Sequence, residues 1–141
     1  RDAETRRAET TMQDINDLTE QIIGLGIEVH RHLGPGLAEA TYERALCMEL
    51  SHAGLSYHKQ IGLPVIYKGE VIAEHRPDLV IANRVVVEVK AVERLLRVHT
   101  AQMITYLRVT GLELGLVMNF NAATLKEGLR RVVLQRGDKT L

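Results

Sequence analysis

Apolar residues along this chain keep helical spacing at first and then change to strand spacing. Leu18, Ile22, Leu25, Val29 and Leu33 recur at i, i+4, i+7, i+11 and i+15, one face of a helix. Asp17 followed three residues later by Glu20 has the form of a capping box that opens it. Gly34-Pro35-Gly36 breaks the pattern and reads as a helix-to-helix turn. A second stripe of Ala38, Tyr42, Leu46 and Leu50 predicts a helix from about Leu37 to Ala53, with Gly54 as a left-handed C-cap. Leu55–Tyr67 is strand-like, and Pro64 within it indicates an edge or a bulge. Lys68-Gly69 makes a turn, and Val71–Ala73 lead into a hairpin from Arg76 to Lys90. A helix from about Arg94 to Val109 follows, closed by Gly111. Leu112–Phe120 is a short apolar run expected as a buried strand. One helical turn at Thr124–Glu127 and a last strand at Leu129–Leu134 complete the pattern.

The order of helix, three strands, helix and strand predicts an α/β domain with a mixed central sheet flanked by helices. The helix between the hairpin and Leu112–Phe120 is long enough for a parallel crossover. Residues 1–16, polar and unpatterned at their start, are expected to form a disordered or frayed leader. Residues 17–134 are expected to form one domain and 135–141 a polar tail.

Composition narrows the function classes. A chain of 141 residues is long enough to bury a core, and 45% hydrophobic with 26% charged residues is ordinary for a globular protein. Four Tyr, one Phe and no Trp leave an aliphatic core without evident platforms for stacking bases. A formal net charge of zero argues against tight nonspecific nucleic-acid binding, leaving only a local patch. The lone Cys47 sits in a helical pattern as a small buried hydrophobe, and no Cys/His cluster has zinc spacing. With no signal peptide and no long apolar run, the expectation is a cytoplasmic protein without a membrane partner.

The chemistry gathers in the hairpin R-P-D-L-V-I-A-N-R-V-V-V-E-V-K. A turn at Ala82-Asn83-Arg84, with Asn83 tolerating left-handed angles, pairs Ile81 with Val85, Val80 with Val86 and Asp78 with Glu88. Directly opposed residues share a face, with Cβ atoms about 4.5–5.5 Å apart, and Lys90 lies on that face as well. Leu79, Ile81, Val85, Val87 and Val89 form the other, apolar face. Two opposed carboxylates repel by roughly 0.2–1 kcal/mol even when exposed. Lys90 offsets part of that, whereas a divalent cation gripped by both would relieve it, and hard oxygen ligands suit Mg²⁺ or Mn²⁺. For the hairpin alone the plainer reading is a surface Glu–Lys ladder, with Asp78 merely opening a strand after Pro77.

Further features bear on that choice. Glu39 lies early in the second helix, where the dipole favours a carboxylate, and it borders the buried stripe, where it needs a partner. Gln102 and Tyr106 are an i,i+4 pair on the helix after the hairpin, placed toward the edge of an apolar side containing Val98, Ile104 and Leu107. His30 beside an apolar helix face reads first as a boundary residue and second as a metal ligand. The Gly34-Pro35-Gly36 loop lacks the Lys-Ser/Thr ending of a phosphate-cradling motif.

Gly36-x-x-Glu39-x-x-Tyr42, after Glu28-Val29-His30 and Leu33-Gly34-Pro35, resembles the signature of the GxxExxY protein family, which is placed with PD-(D/E)xK nuclease-like proteins. Pro77-Asp78 with Glu88-Val89-Lys90 is similar to the P-D…E-x-K pattern of that superfamily. Gln102-x-x-x-Tyr106 resembles the Q-x-x-x-Y of its RecB-type branch, and Asn119-Phe120-Asn121 and Leu125-Lys126-x-Gly128 also fit the family. His75-Arg76-Pro77 departs from the aromatic, Arg and small residue more common in relatives, with Asp78 kept in place. The resemblance covers roughly residues 18–134. It implies a restriction-endonuclease-like αβββαβ core and metal ligands at Asp78, Glu88 and Glu39, assisted by the Val89 carbonyl.

On this reading the chain is expected to be a nuclease that uses Mg²⁺ or Mn²⁺ to hydrolyse phosphodiester bonds, in DNA ahead of RNA. Asp78 and Glu88 hold the ion, Lys90 positions water or stabilises developing charge, and Glu39 completes the shell. Gln102 and Tyr106 orient the outer sphere, and His30 is a further metal candidate. The alternative is a noncatalytic module of the same fold that binds nucleic acid or a protein. A homodimer is compatible with either.

Overall fold

The computed structural model describes residues 2–134, without the side chains of residues 4–13. The polar tail expected at 135–141 lies outside the described residues. Helices α1 (Ala3–Leu33) and α2 (Glu39–His52) come first, then strands β1 (Tyr57–Lys59), β2 (Leu63–Tyr67), β3 (Glu70–His75), β4 (Leu79–Ile81) and β5 (Val85–Lys90). Helix α3 (Arg97–Thr110), strand β6 (Leu114–Asn119), the short helix α4 (Leu125–Gly128) and strand β7 (Leu129–Val133) follow.

Five strands form a mixed sheet in the order β1-β4-β5-β6-β7, with β5 and β6 parallel and the other neighbours antiparallel. This is the expected α/β architecture, with α3 supplying the crossover between the parallel strands. The sheet buries both faces. Val85, Val87 and Val89 of β5 pack with Ile22 and Val29 of α1 and with Tyr42 and Leu46 of α2. Val86 points the other way, to Met103, Tyr106 and Leu107 of α3. Double burial explains why β5 reads as a nearly continuous valine run.

Four local expectations are corrected. Helix α1 starts at Ala3 rather than at Asp17, because no Gly or Pro interrupts residues 3–16 and a capping box does not by itself exclude upstream helix. Its buried line is Ile15, Thr19, Ile22 and Val29, while Leu33 is exposed. Gly26 shifts the contact, since a Cβ there would lie 2.8 Å from Leu125 and 3.1 Å from Met118, so the helix presses closest along that line. The strand-like stretch Leu55–Tyr67 divides in two, and β2 leaves the main sheet to pair with β3 alone, with a bulge between Val65 and Ile66 next to Pro64. On α3 the buried positions are Met103, Tyr106 and Leu107, and Val98 is exposed.

The other punctuation falls where the sequence puts it. Gly54 and Gly111 are left-handed at the ends of α2 and α3. Thr124 caps α4 by accepting the Glu127 N–H at 3.3 Å. Among the described residues, no helix is long and apolar enough to cross a membrane.

Candidate active site

The hairpin of β4 and β5 turns through Ala82 and Asn83, both left-handed at φ 53° and 56°, and the Arg84 N–H closes the turn on the Ile81 carbonyl at 3.0 Å. The register is the expected one, with Ile81 opposite Val85, Val80 opposite Val86 and Leu79 opposite Val87. Beyond Leu79 the ladder passes from backbone to side chains. The Asp78 N–H donates to Glu88 Oε1 at 2.7 Å, and the Val89 N–H donates to Asp78 Oδ2 at 2.7 Å. Each carboxylate is thus held by an amide of the opposite strand. Glu88 is 5% exposed, so a surface Glu–Lys ladder does not describe it.

Electrostatics follow from that burial. Loss of water and then the Asp78 charge push the Glu88 carboxyl up to about 7, against its amide bond and the nearby Lys90. Lys90 Nζ stands 3.7 Å from Glu88 Oε2. Asp78 is also raised, by burial first, although the Val89 amide, Lys90 and Gln60 all favour its charged form. Two carboxyl groups that resist ionisation side by side form a site that a cation stabilises.

Helices complete the surroundings from both faces of the sheet. From α3, Tyr106 is buried with its ring edge-on to His75 at 6.3 Å, and burial followed by the charges of Glu88 and Asp78 pushes its hydroxyl up to about 12. It is a core residue rather than an edge residue. Gln102 is half-buried and lines a cavity with Lys90. From α2, Glu39 Oε2 accepts the Ala91 N–H at 3.2 Å, just past the end of β5, and its charge contributes to raising Asp78. The Tyr42 hydroxyl donates to the Gly34 carbonyl at 2.5 Å and accepts the Leu37 N–H at 3.1 Å. Gly34 and Gly36 are both left-handed, so the Gly–Glu–Tyr spacing couples a tight turn, a carboxylate at the sheet end and the hydroxyl that fixes the turn.

The loop after β5 is pinned as well. Asn119 accepts the Val92 N–H at 3.0 Å and donates to the Val92 carbonyl at 2.9 Å, and the Phe120 N–H donates to the Lys90 carbonyl at 2.9 Å. Carbonyls alternate along a strand, so with Lys90 facing β6 the Val89 carbonyl faces Asp78.

His30 is not brought to this site. Its Nε2 lies 2.9 Å from the Ala122 carbonyl oxygen and its ring stacks on Phe120 at 6.4 Å, a boundary role within the packing of α1. Among the described residues no three of His, Cys, Asp and Glu converge into a ready cation cage. Asp78 and Glu88 converge as a pair, with Glu39 tied to the Ala91 amide. Two carboxylates and a carbonyl on one side of a strand are nevertheless hard oxygen donors that fit Mg²⁺ or Mn²⁺.

Two residues at the site were missed in the sequence. Gln60 is left-handed at φ 53°; its N–H donates to the Asp78 carbonyl at 3.1 Å and its side-chain amide to Asp78 Oδ1 at 3.3 Å. The Gln60 carbonyl in turn accepts from Arg76 at 3.1 Å. Only the pairing of β1 with β4 brings Gln60 and Asp78 together, and no sequence signal announces it. Glu43 lies one turn after Glu39; its Oε1 is buried without a hydrogen-bond partner, and burial followed by the Asp78 charge raises its carboxyl. The i,i+4 spacing from Glu39 was the available signal.

A family model for the PD-(D/E)XK nuclease superfamily matches residues 16–132. No curated protein and no solved structure matches the chain. The matched span runs from α1 into β7 and contains the acidic pair, Lys90 and the helix that covers them. A match of that extent, over a mixed sheet with its acidic residues on adjacent strands, means that the chain belongs to the PD-(D/E)XK nuclease superfamily.

Proposed function

We propose that this protein hydrolyses phosphodiester bonds in DNA with Mg²⁺ or Mn²⁺ held by Asp78, Glu88 and the Val89 carbonyl. Within the superfamily we group it with the GxxExxY proteins, with Gln102-x-x-x-Tyr106 serving as its RecB-type motif. The observation that carries this reading is the reciprocal lock between Asp78 and Glu88, which fixes a half-buried and a buried carboxylate side by side with the Lys90 ammonium 3.7 Å from Glu88.

When bound, the cation supplies positive charge that acidifies water and polarises the phosphate. The chain's own groups do the rest. Lys90 sits where its ammonium stabilises negative charge developing on the phosphate. Tyr106, whose hydroxyl proton is held by burial and the neighbouring carboxylates, can donate a hydrogen bond at the site. Gln102 orients groups beyond the acidic pair, and Glu39 holds the end of β5 through the Ala91 amide while adding negative charge near Asp78. Gln60 keeps the Asp78 carboxylate turned toward Val89.

The test compares wild type with Lys90→Ala on single-stranded, double-stranded and branched DNA, measuring cleavage and binding separately with Mg²⁺ and Mn²⁺. Loss of a well-placed charged donor lowers kcat by a hundredfold or more, about 3 kcal/mol. Because Lys90 acts on the transition state, binding of DNA and metal is expected to persist. The same reciprocal amide bonds also favour a second reading, because they hold both carboxyl groups in place without a cation. Binding without cleavage by both proteins, on all substrates and with both metals, would establish the noncatalytic module instead.

A further inference from the structure

A cavity of about 490 Å³ opens beside the acidic pair, with Lys90 in its wall. Its lining comes from two elements that meet over the end of β5. Strand β3 contributes His75, and α3 contributes Val98, His99, Ala101, Gln102 and Thr105. The volume falls within the range of small-molecule sites, roughly 300–1,000 Å³. The chemistry is mixed in a particular way: two flat imidazole rings, one amide with both a donor and an acceptor, short apolar side chains and an ammonium at one wall.

The rings are set by the fold. His99 Nδ1 accepts the Leu96 N–H at 2.9 Å at the start of α3, and His75 is braced edge-on by Tyr106. Flat rings suit the faces of a planar heterocycle, an amide suits its polar edge, and an ammonium suits a neighbouring phosphate. A purely aliphatic ligand would leave the Gln102 amide unused, and a free anion would make no use of Val98 and Ala101. The groove between α1 and α2, of similar volume at about 460 Å³, offers Leu33, Ala45 and Met48 but no flat ring.

We propose that this cavity receives one unstacked nucleobase flanking the phosphate at Asp78 and Glu88, so that the preferred substrate is single-stranded DNA. A base within a duplex presents only its edges to a protein and enters such a cavity only after leaving the stack. The proposal rests on the nuclease reading for its orientation, since Lys90 belongs to both the cavity and the acidic pair. It accounts for base recognition in a chain with few aromatics by assigning the stacking surfaces to His75 and His99.

Two variants fill the cavity from α3 without touching the hairpin: Ala101→Trp and Thr105→Trp. Both positions are exposed, so each is compatible with folding, which a melting curve checks, and either alone decides the result. The first measurement is an NMR titration of the metal-free protein with deoxynucleoside 5′-monophosphates. The imidazole signals of His75 and His99 should shift in wild type and stay fixed in the variants. The second is cleavage with Mn²⁺, where wild type should cut a single strand at least tenfold faster than the matching duplex. Both variants should lose at least tenfold on the single strand while keeping wild-type Mn²⁺ affinity.

Unmoved imidazole signals, or variants that cut single strands as wild type does, would overturn the base site and leave the nuclease standing. Shifted signals without cleavage of any DNA would keep the base site and remove the nuclease. Duplex cleaved as fast as single strand and lost in both variants would mean extrusion from a duplex, which overturns the single-strand assignment.

Discussion

Replacing Glu88 with Gln isolates the consequence of burying a carboxyl at the end of the sheet. In the unfolded chain this group loses its proton near its ordinary value of 4.5, whereas the folded protein keeps it up to about 7. Between those values the folded state binds more protons than the unfolded state. Stability therefore falls as pH rises through that window, and the full penalty is present above it. At about 1.4 kcal/mol per pH unit, the displacement amounts to about 3 kcal/mol. Glu88→Gln keeps an oxygen to accept the Asp78 N–H but has no proton to lose. It should match wild type at about pH 4 and exceed it by about 3 kcal/mol at about pH 8 in the absence of metal. For a domain of this size that is a rise in Tm of roughly 10 °C. Urea unfolding followed by circular dichroism from about pH 4 to 8 in chelator measures it. Asp78, raised by burial as well, adds a slope of the same sign to both proteins, so the difference between them is the readout. Adding Mn²⁺ at about pH 8 should stabilise wild type and leave the variant unmoved. Stability profiles that stay parallel through the window would refute the assignment of the raised carboxyl.

Three further outcomes follow from named contacts. Asp78→Ala should abolish Mn²⁺ binding by calorimetry while leaving the fold intact or more stable, because the like-charge pair is relieved; undiminished affinity removes Asp78 from the site. Gln60→Gly keeps the left-handed backbone but deletes the amide on Asp78 Oδ1, so Mn²⁺ affinity should fall about tenfold with little change in Tm. An unchanged affinity would make Gln60 a structural residue only. Gly128→Ala places a Cβ against the Asn119 backbone carbonyl, which cannot swing away, and should destabilise by about 1–3 kcal/mol in urea unfolding.

The hairpin was legible because its period is unambiguous. Alternation along β5 and the left-handed tolerance of Asn83 fix the register, and the register alone sets Asp78 opposite Glu88. The two bonds that join them involve backbone amides, which carry no sequence signal, so the lock itself was not visible. The Gly34–Tyr42 segment was legible as a turn and a helix, but not as a hydroxyl tying the turn. His30 was ambiguous because helical spacing gives a face and not a neighbour, and the neighbour is Ala122, 92 residues away. The stripe on α3 was misplaced because Val98 has the right spacing but lies in the first turn, beyond the sheet residues that cover Met103 and Tyr106. Gln60 depends on tertiary pairing, which local patterns do not encode, whereas Glu43 shares a helix face with Glu39 in the sequence and only its depth of burial was hidden.

The parallel pairing of β5 with β6 has a consequence for timing during synthesis. The hairpin with both acidic residues is complete once Lys90 has left the ribosome, but one edge of β5 then has no partner. Strand β6, the Phe120 amide that takes the Lys90 carbonyl and the Asn119 clasp on Val92 are all made later, after α3. A nascent chain or a fragment ending before β6 thus carries every acidic group of the site without the strand that holds them in place. Domains tend to fold as units as they emerge. The acidic pair therefore gains its full frame only once residues 114–120 have been made, an order imposed by strand connectivity alone.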